Sequence, residues 1–282
     1  MVLGSGSPIP TEDRFGSSHI LKIADEYMMF DCGPATTHKA AKMGLLPTQI
    51  DHLFFTHHHF DHNVDYPCFL LTRWDMSVGK ENQLQVHGPR LTESITERLI
   101  GENGAFIDDI NARVNHPLSQ QIHKLRGGDL PRHLPDVLAR DVGPGLVYSG
   151  KDWEVSASPA DHVQPWLDSL AYRVDSAEGS VVFTGDTAPC DSVAQLAKGA
   201  DVMFSMCTDN QINLEINDRA DGNMGTTAAA KLAQEAGVKK LVLVHIGPGL
   251  AQTDRMEEGI SEVKREYDGE VVFSNELMVV DI

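Results

Sequence analysis

Residues 54–62 read Phe-Phe-Thr-His-His-His-Phe-Asp-His, an apolar run followed by four histidines and an aspartate within 57–62. Histidines side by side gain nothing for packing, so the chemistry to weigh first is metal ligation. His57, His59, Asp61 and His62 form the pattern HxHxDH. Residues two apart on an extended chain share a side, so His57 and His59 can face one ion as the chain leaves a strand. A helix beginning near Asp61 turns Asp61 and His62 toward a second ion beside the first. Imidazole and carboxylate are ordinary zinc ligands at roughly 2.0 to 2.2 Å. A histidine tract can also be a solvated loop or an adventitious binder, but this order of residues at a strand exit favours half of a two-metal site.

Three more ligands are needed, and the downstream sequence offers them. His162 in SPADHVQP follows an expected strand and can complete the first site. Asp186 in VVFTGDTAP sits just past the apolar run 180–184, where its carboxylate can bridge both ions. His245 ends the run KKLVLVH and can complete the second site. All three stand at C-terminal ends of expected strands, where the loops of an α/β sheet converge on one rim. Two divalent ions about 3.5 to 4 Å apart can hold a bridging hydroxide at neutral pH, so the chemistry expected is hydrolysis. Asp61 is the expected catalytic residue, orienting the attacking water or taking its proton. No serine or cysteine nucleophile is required. Cys32, Cys68, Cys190 and Cys207 lie far apart without a CxxC pair and read as buried small hydrophobes.

Such ligands need a scaffold that brings strand ends together. Runs at 19–23, 27–30, 52–55 and 84–87 read as strands, with helices over 34–43, 63–76 and 91–100. Strands at 153–157, 170–174, 180–184, 202–206, 240–246, 271–273 and 277–280 follow, with helices at 226–236 and 255–267, the first closed by Gly237. Strands that meander first and alternate with helices later point to an α/β sandwich. Between 101 and 147 the pattern loosens into turn formers (GENG, NHP, RGGDLPRHLP, VGPG), so this stretch reads as an insertion near the active-site rim of a single 1–282 domain. The opening apolar run, 1–3, is short for a first strand, and a few residues are expected to be missing upstream.

The sequence resembles the metallo-β-lactamase superfamily and, within it, the ribonuclease Z-like branch. The resemblance rests on LGSGSPIP with Arg14 and Ser17-Ser18, FDCG at 30–33, THHHFDH at 56–62, HGP at 87–89, ADHVQP, FTGDT at 183–187 and AGVKKLVLVH at 236–245. It implies a metallo-β-lactamase-type four-layer αβ/βα sandwich carrying a helical and loop insertion, with two zinc ions at one rim. The first ion takes His57, His59 and His162, the second Asp61, His62 and His245, and Asp186 is shared. Asp31 in FDCG corresponds to a residue that orients the ligands. Position 59 usually carries a carboxylate in the di-iron sister group, so His59 favours zinc over iron, with manganese or mixed occupancy left open. Relatives in the branch often pair, which implies a homodimer.

Substrate is harder to read. The transfer-RNA-trimming ribonucleases Z carry a histidine in an HST-like motif where this chain has Asn223-Met224-Gly225, and asparagine cannot act as a general acid. The loop after His245 reads Gly247-Pro248-Gly249, where those nucleases have a serine followed by an aromatic and basic end, and no lysine-rich and glycine-rich arm is visible. The formal charge of −18 repels a polyanion unless a local basic patch overrides it. The expectation is therefore a hydrolase of a small-molecule ester, lactone or related electrophile, with nucleic acid disfavoured as a partner and a ribonuclease Z-like phosphodiesterase as the alternative. The stretches 64–76 and 101–147 could wall the pocket. Phe69, Trp74 and Trp166 could line it or be ordinary core. Arg126, Arg132 and His133 could recognise an anion or belong to a solvated loop or subunit contact. A chain of 282 residues, 41% hydrophobic, can bury a large core. No apolar stretch approaches the roughly twenty residues of a membrane span, and MVLGSGSPIP is no secretory signal. A cytoplasmic location away from membranes is expected.

Overall fold

The apolar runs pair into two sheets. In the computed structural model, which describes residues 1–80 and 82–282, one sheet has the order β1-β2-β3-β4-β5-β6. Its strands are β1 (Val2–Gly4), β2 (Ser18–Ile23), β3 (Glu26–Phe30), β4 (Ile50–Phe54), β5 (Leu84–Gly88) and β6 (Val137–Asp141). The other sheet runs β13-β12-β11-β10-β9-β8-β7. It contains β7 (Gly145–Ser149), β8 (Trp153–Pro159), β9 (Leu170–Ser176), β10 (Gly179–Phe183), β11 (Val202–Met206), β12 (Lys240–Val244) and β13 (Glu270–Phe273). Strands β3 to β6 are mutually parallel, as are β10 to β13, and parallel neighbours need crossover connections.

Helices supply those crossovers on the outer faces: α1 (Thr36–Lys42), α2 (Phe60–Asn63), α3 (Tyr66–Met76), α4 (Thr92–Ile100), α5 (Ile107–Asn115) and α6 (Pro117–Leu125) in the first half. In the second half they are α7 (Asp191–Ala197), α8 (Gln211–Ile216), α9 (Thr226–Ala236) and α10 (Thr253–Glu266). The result is the αβ/βα sandwich expected. Strand β12, KLVLV, shows why its sequence is apolar throughout. Val242 and Val244 face the other sheet, while Leu241 and Leu243 face α9 and its neighbours, so both sides of the pleat are buried. Between the sheets Phe30 stacks on Phe183 with centroids 4.0 Å apart and on Phe54 at 5.1 Å. Leu53 and Val86 pack outward against Phe69 and Leu70 of α3. No helix among the described residues is long and apolar enough to cross a membrane.

The two sheets are tied together where the site lies. Leu170 N donates to Thr56 O at 2.9 Å and Tyr172 Oη to Phe55 O at 2.9 Å, joining the exit of β4 to β9. Ile246 N donates to Ser5 O at 2.8 Å, joining the exit of β12 to the β1 loop. The ends of β4, β8, β10 and β12 therefore share one rim.

Several local expectations change. The helix expected over 63–76 is two helices, α2 and α3, broken at Val64 and Asp65; Pro67 belongs in a first helical turn, where its missing N–H costs nothing. The 101–147 stretch holds α5 and α6, but it also holds β6 and most of β7. These are edge strands whose side chains are half-buried or exposed, so they lack the apolar alternation of a covered strand. The run 277–280 forms no regular strand. It exchanges two hydrogen bonds with Val2 and then bends, with Leu277 at φ 62°. Cys32 and Cys207 are buried as expected, but Cys68 is exposed and Cys190 half-buried.

Candidate metal centre

The HxHxDH loop leaves β4 in extended conformation through His59, which caps α2, and then turns helical. That switch separates the ligands as the spacing predicts. His57, His59, His162 and Asp186 offer ligand atoms within 4.8 Å of one another, and Asp61, His62 and His245 form a second such group. His57 Nε2 lies 3.0 Å from His59 Nδ1, which lies 3.2 Å from His162 Nε2. Two nitrogens bound to one tetrahedral zinc lie about 3.3 Å apart, given Zn–N of about 2.0 Å. In the second group His245 Nε2 is 3.3 Å from Asp61 Oδ2. Asp186 stands between the groups, with Oδ1 3.4 Å from His62 Nε2 and Oδ2 3.1 Å from His245 Nε2 and 3.7 Å from His162 Nε2.

Four of the five imidazoles are held from behind. His62 Nδ1 donates to Asp31 Oδ2 at 2.7 Å, and Asp31 also accepts from Thr56 N at 2.7 Å and Thr56 Oγ1 at 2.8 Å. Thr56 Oγ1 in turn lies 3.1 Å from His57 Nδ1, and Thr208 Oγ1 lies 3.4 Å from His245 Nδ1. His162 Nδ1 donates to Gly222 O at 2.6 Å. With Nδ1 engaged, Nε2 of all four rings carries its lone pair inward, the arrangement typical of metal-ligating histidines. Asp31 therefore lies behind His62 and, through Thr56, behind His57. His58, the histidine the pattern skips, turns away: its Nε2 donates to Thr92 Oγ1 at 2.8 Å, and burial pushes its pKa down to about 4.

Whether the site suits cations can be judged from its own polar atoms. Asp61 Oδ1 and Oδ2, Asp186 Oδ1, His62 Nε2 and His245 Nε2 are buried without a hydrogen-bond partner. Buried polar atoms without partners are costly, and five at one point, all metal-ligand types, fit bound divalent ions. Burial opposes ionisation of Asp61 and Asp186, yet the surrounding imidazoles of His245 and His62 hold both below the usual carboxylate range. Burial likewise opposes charge on His245, but Asp186 and Asp61 raise it to about 9. His57 is held well below its ordinary value by burial. Carboxylate charge thus concentrates at the second group and is shared with the first through Asp186.

Backbone geometry aims these groups. Asp31 and His245, at strand exits, have φ of 59° and 56°, a left-handed conformation that costs a side-chain-bearing residue of the order of 1–3 kcal/mol. A Cβ on Gly33 would lie 2.2 Å from Asp61 O, so FDCG ends in the one residue that lets the ligand loop approach. Gly222 has φ 66°, and a Cβ there would lie 2.2 Å from His162 O.

The profile of the beta-lactamase superfamily domain matches residues 27–246. The chain belongs to the metallo-β-lactamase superfamily. Within this superfamily it is a ribonuclease Z-like member. It is 29% identical to a ribonuclease Z of Mycobacterium bovis (strain BCG / Pasteur 1173P2) over 100% of this chain and 97% of that protein. It is 30% identical to a ribonuclease Z of Mycobacterium sp. (strain KMS) over 89% of this chain and 84% of that protein. The crystal structure of the short form of human tRNase Z superposes with a TM-score of 0.68 at 20% identity, covering 100% of this chain and 98% of that one. The metallo-β-lactamase fold carries divalent metal, and the protein is a metal-dependent hydrolase.

These relatives overturn one expectation. The charge of −18 argued for a small-molecule substrate and against nucleic acid, but the relatives that match end to end are named as ribonucleases. Net charge describes the whole surface and is silent about the strip that meets the substrate. The proposed pocket walls also resolve differently. Phe69 is buried in the helix–sheet layer, while Trp74 lies under Arg132. Arg126 and Arg132 pair with Asp75 at the far end of α3, and His133 O accepts from Trp74 Nε1. Trp166, on the loop after His162, is 83% exposed.

Proposed function

We propose that the protein is a ribonuclease Z-like RNA phosphodiesterase that cleaves 3′-extended transfer RNA in the cytoplasm with two zinc ions. The observation that carries the reading is the convergence of seven ligand-type side chains, in two groups sharing Asp186, within a chain that aligns end to end with ribonucleases Z. In this reading His57, His59 and His162 would hold one ion and Asp61, His62 and His245 the other, with Asp186 available to both. Two such cations would make a water acidic enough to attack at neutral pH and would polarise the scissile phosphate.

The chain's own residues do the rest. Asp31, Thr56 and Gly222 O fix the imidazoles so that no reorganisation is needed when charge develops. Asp61, with Oδ1 unengaged, is placed where it would orient a water bound there or take its proton. Asn223 donates through Nδ2 to Asp221 O and is assigned no proton transfer. Phe60, next to His59 and 60% exposed, and Trp166, following His162, offer aromatic faces on which unpaired bases stack. The cytoplasmic assignment is supported by four free cysteines. The reading takes 1–282 as one domain, supported by β6 and β7 each joining a sheet from within the 101–147 stretch.

The test is cleavage of a 3′-extended transfer-RNA transcript by metal-loaded protein. Endonucleolytic release of the 3′ extension, lost in Asp186→Ala, is expected. Absence of cleavage, together with turnover of chromogenic esters, would overturn the reading.

A further inference from the structure

A cavity of about 370 Å³ lies away from the metal centre, at the opposite ends of the parallel strands. Its walls are the C-terminal half of α3, His123 of α6, the segment 131–137, and the starts of β5 and β6. Helix α3 spans about 16 Å at 1.5 Å per residue and separates it from the HxHxDH loop. The volume falls in the range of small-molecule sites, about 300–1,000 Å³.

Its chemistry runs against that of the molecule. In a chain of formal charge −18 the described lining holds Arg73 and Arg132, with the imidazoles of His123 and His133, beside one carboxylate among the described residues, Asp136, which already accepts from Gln83 Nε2 at 2.7 Å. Arg73 is fully engaged by Ile50 O, Asn82 and Asp51 and serves as scaffold. Arg132 is not. It is 8% exposed, lies 4.2 Å from the Trp74 ring centroid, and donates through Nη2 to Asp75 Oδ1 at 2.9 Å. Asp75 is shared with Arg113 and Arg126, at 3.1 and 3.0 Å, so it cannot neutralise all three. Among the described residues the bond to Asp75 is the one hydrogen bond that Arg132 gives, and Arg132 lines the cavity. His123, 4% exposed, donates through Nε2 to Asp129 O at 3.2 Å, so its unpartnered Nδ1 is an acceptor and the anion donors come from Arg132. A buried guanidinium with unused donors is a built receptor for an oxyanion. Leu70, Leu84, Leu134 and Val137 supply an apolar wall beside it.

We propose that this cavity is a second ligand site, distinct from the catalytic centre, that takes a small molecule bearing a carboxylate or phosphate beside an apolar group. The oxyanion sits on Arg132, and the apolar group lies against the leucine and valine wall.

The test is calorimetric titration of the metal-loaded protein with benzoate, adenosine monophosphate, inorganic phosphate and adenosine. Saturable binding of benzoate or the nucleotide is expected on the order of 0.1–1 mM, weaker for phosphate or adenosine alone; which of the two binds tells carboxylate from phosphate. Arg132→Gln and Leu134→Asp should each weaken binding at least ~10-fold while leaving RNA cleavage unchanged. Leu134 is 57% exposed, so its variant folds even if the Arg132 variant does not. Asp186→Ala should retain the binding. No saturable binding by any probe, or binding lost in Asp186→Ala but kept in Leu134→Asp, overturns the proposal, the latter because the anion would then occupy the metal centre.

Discussion

Asp31 is the residue through which the strand pair β3 and β4 fixes two ligands at once, since it takes His62 Nδ1 directly and His57 through Thr56. Asp31→Ala is expected to lower metal affinity by about 10–100-fold, the usual effect of losing a carboxylate behind a ligating histidine. Competition with a chelator measures it, and unchanged affinity would contradict the positioning role. Gly222→Ala places a methyl 2.2 Å from His162 O at a left-handed φ. It should displace His162 and cost the first ion, seen as a fall in metal content with the fold retained by circular dichroism. The seven candidate ligands could be named from the sequence because metal binding admits few residue types and because strand-to-helix geometry dictates HxHxDH spacing, and the fold brings them together in two groups. Thr56, Thr208 and Gly222 were not legible. Threonine and glycine are generic residues, and the bond from His162 to Gly222 spans sixty positions that only the folded chain brings together.

At the scale of elements, the rim depends on the two sheets keeping their spacing, and the Phe30, Phe54 and Phe183 stack fills that space. Phe183→Ala should destabilise the protein by about 3–5 kcal/mol, the usual cost of emptying an aromatic core position; denaturant unfolding would show it, and a change under about 1 kcal/mol would mean the sheets are held otherwise. The loop after His162 carries the substrate argument. Trp166→Ala should raise KM for the RNA with kcat nearly unchanged, because base stacking worth about 1–3 kcal/mol is lost equally from bound and activated states. The covered strands were readable from apolar runs, since β10 to β12 are buried on both faces. Strands β6 and β7 escaped because edge strands need no such run, and the break between α2 and α3 escaped because the apolar pattern continues across it.

Over the whole molecule, the proposed RNA substrate would be met by a local surface whose phosphate contacts the net charge does not count. Each neutralised phosphate contributes roughly −0.7 to the slope of log affinity against log salt for single strands. The slope measured with a 3′-extended transfer RNA therefore counts the phosphates that the local surface neutralises, which the net charge of −18 does not fix. Class of fold and of chemistry were readable because seven residues suffice to state them. The substrate was misread because global charge was allowed to stand for a local surface. The central claim is that those seven residues grip two cations, and metal analysis after zinc reconstitution tests it most directly. About two ions per chain are predicted, falling to fewer than about one in Asp186→Ala. Wild-type protein that retains none, or a variant that retains both, would contradict it.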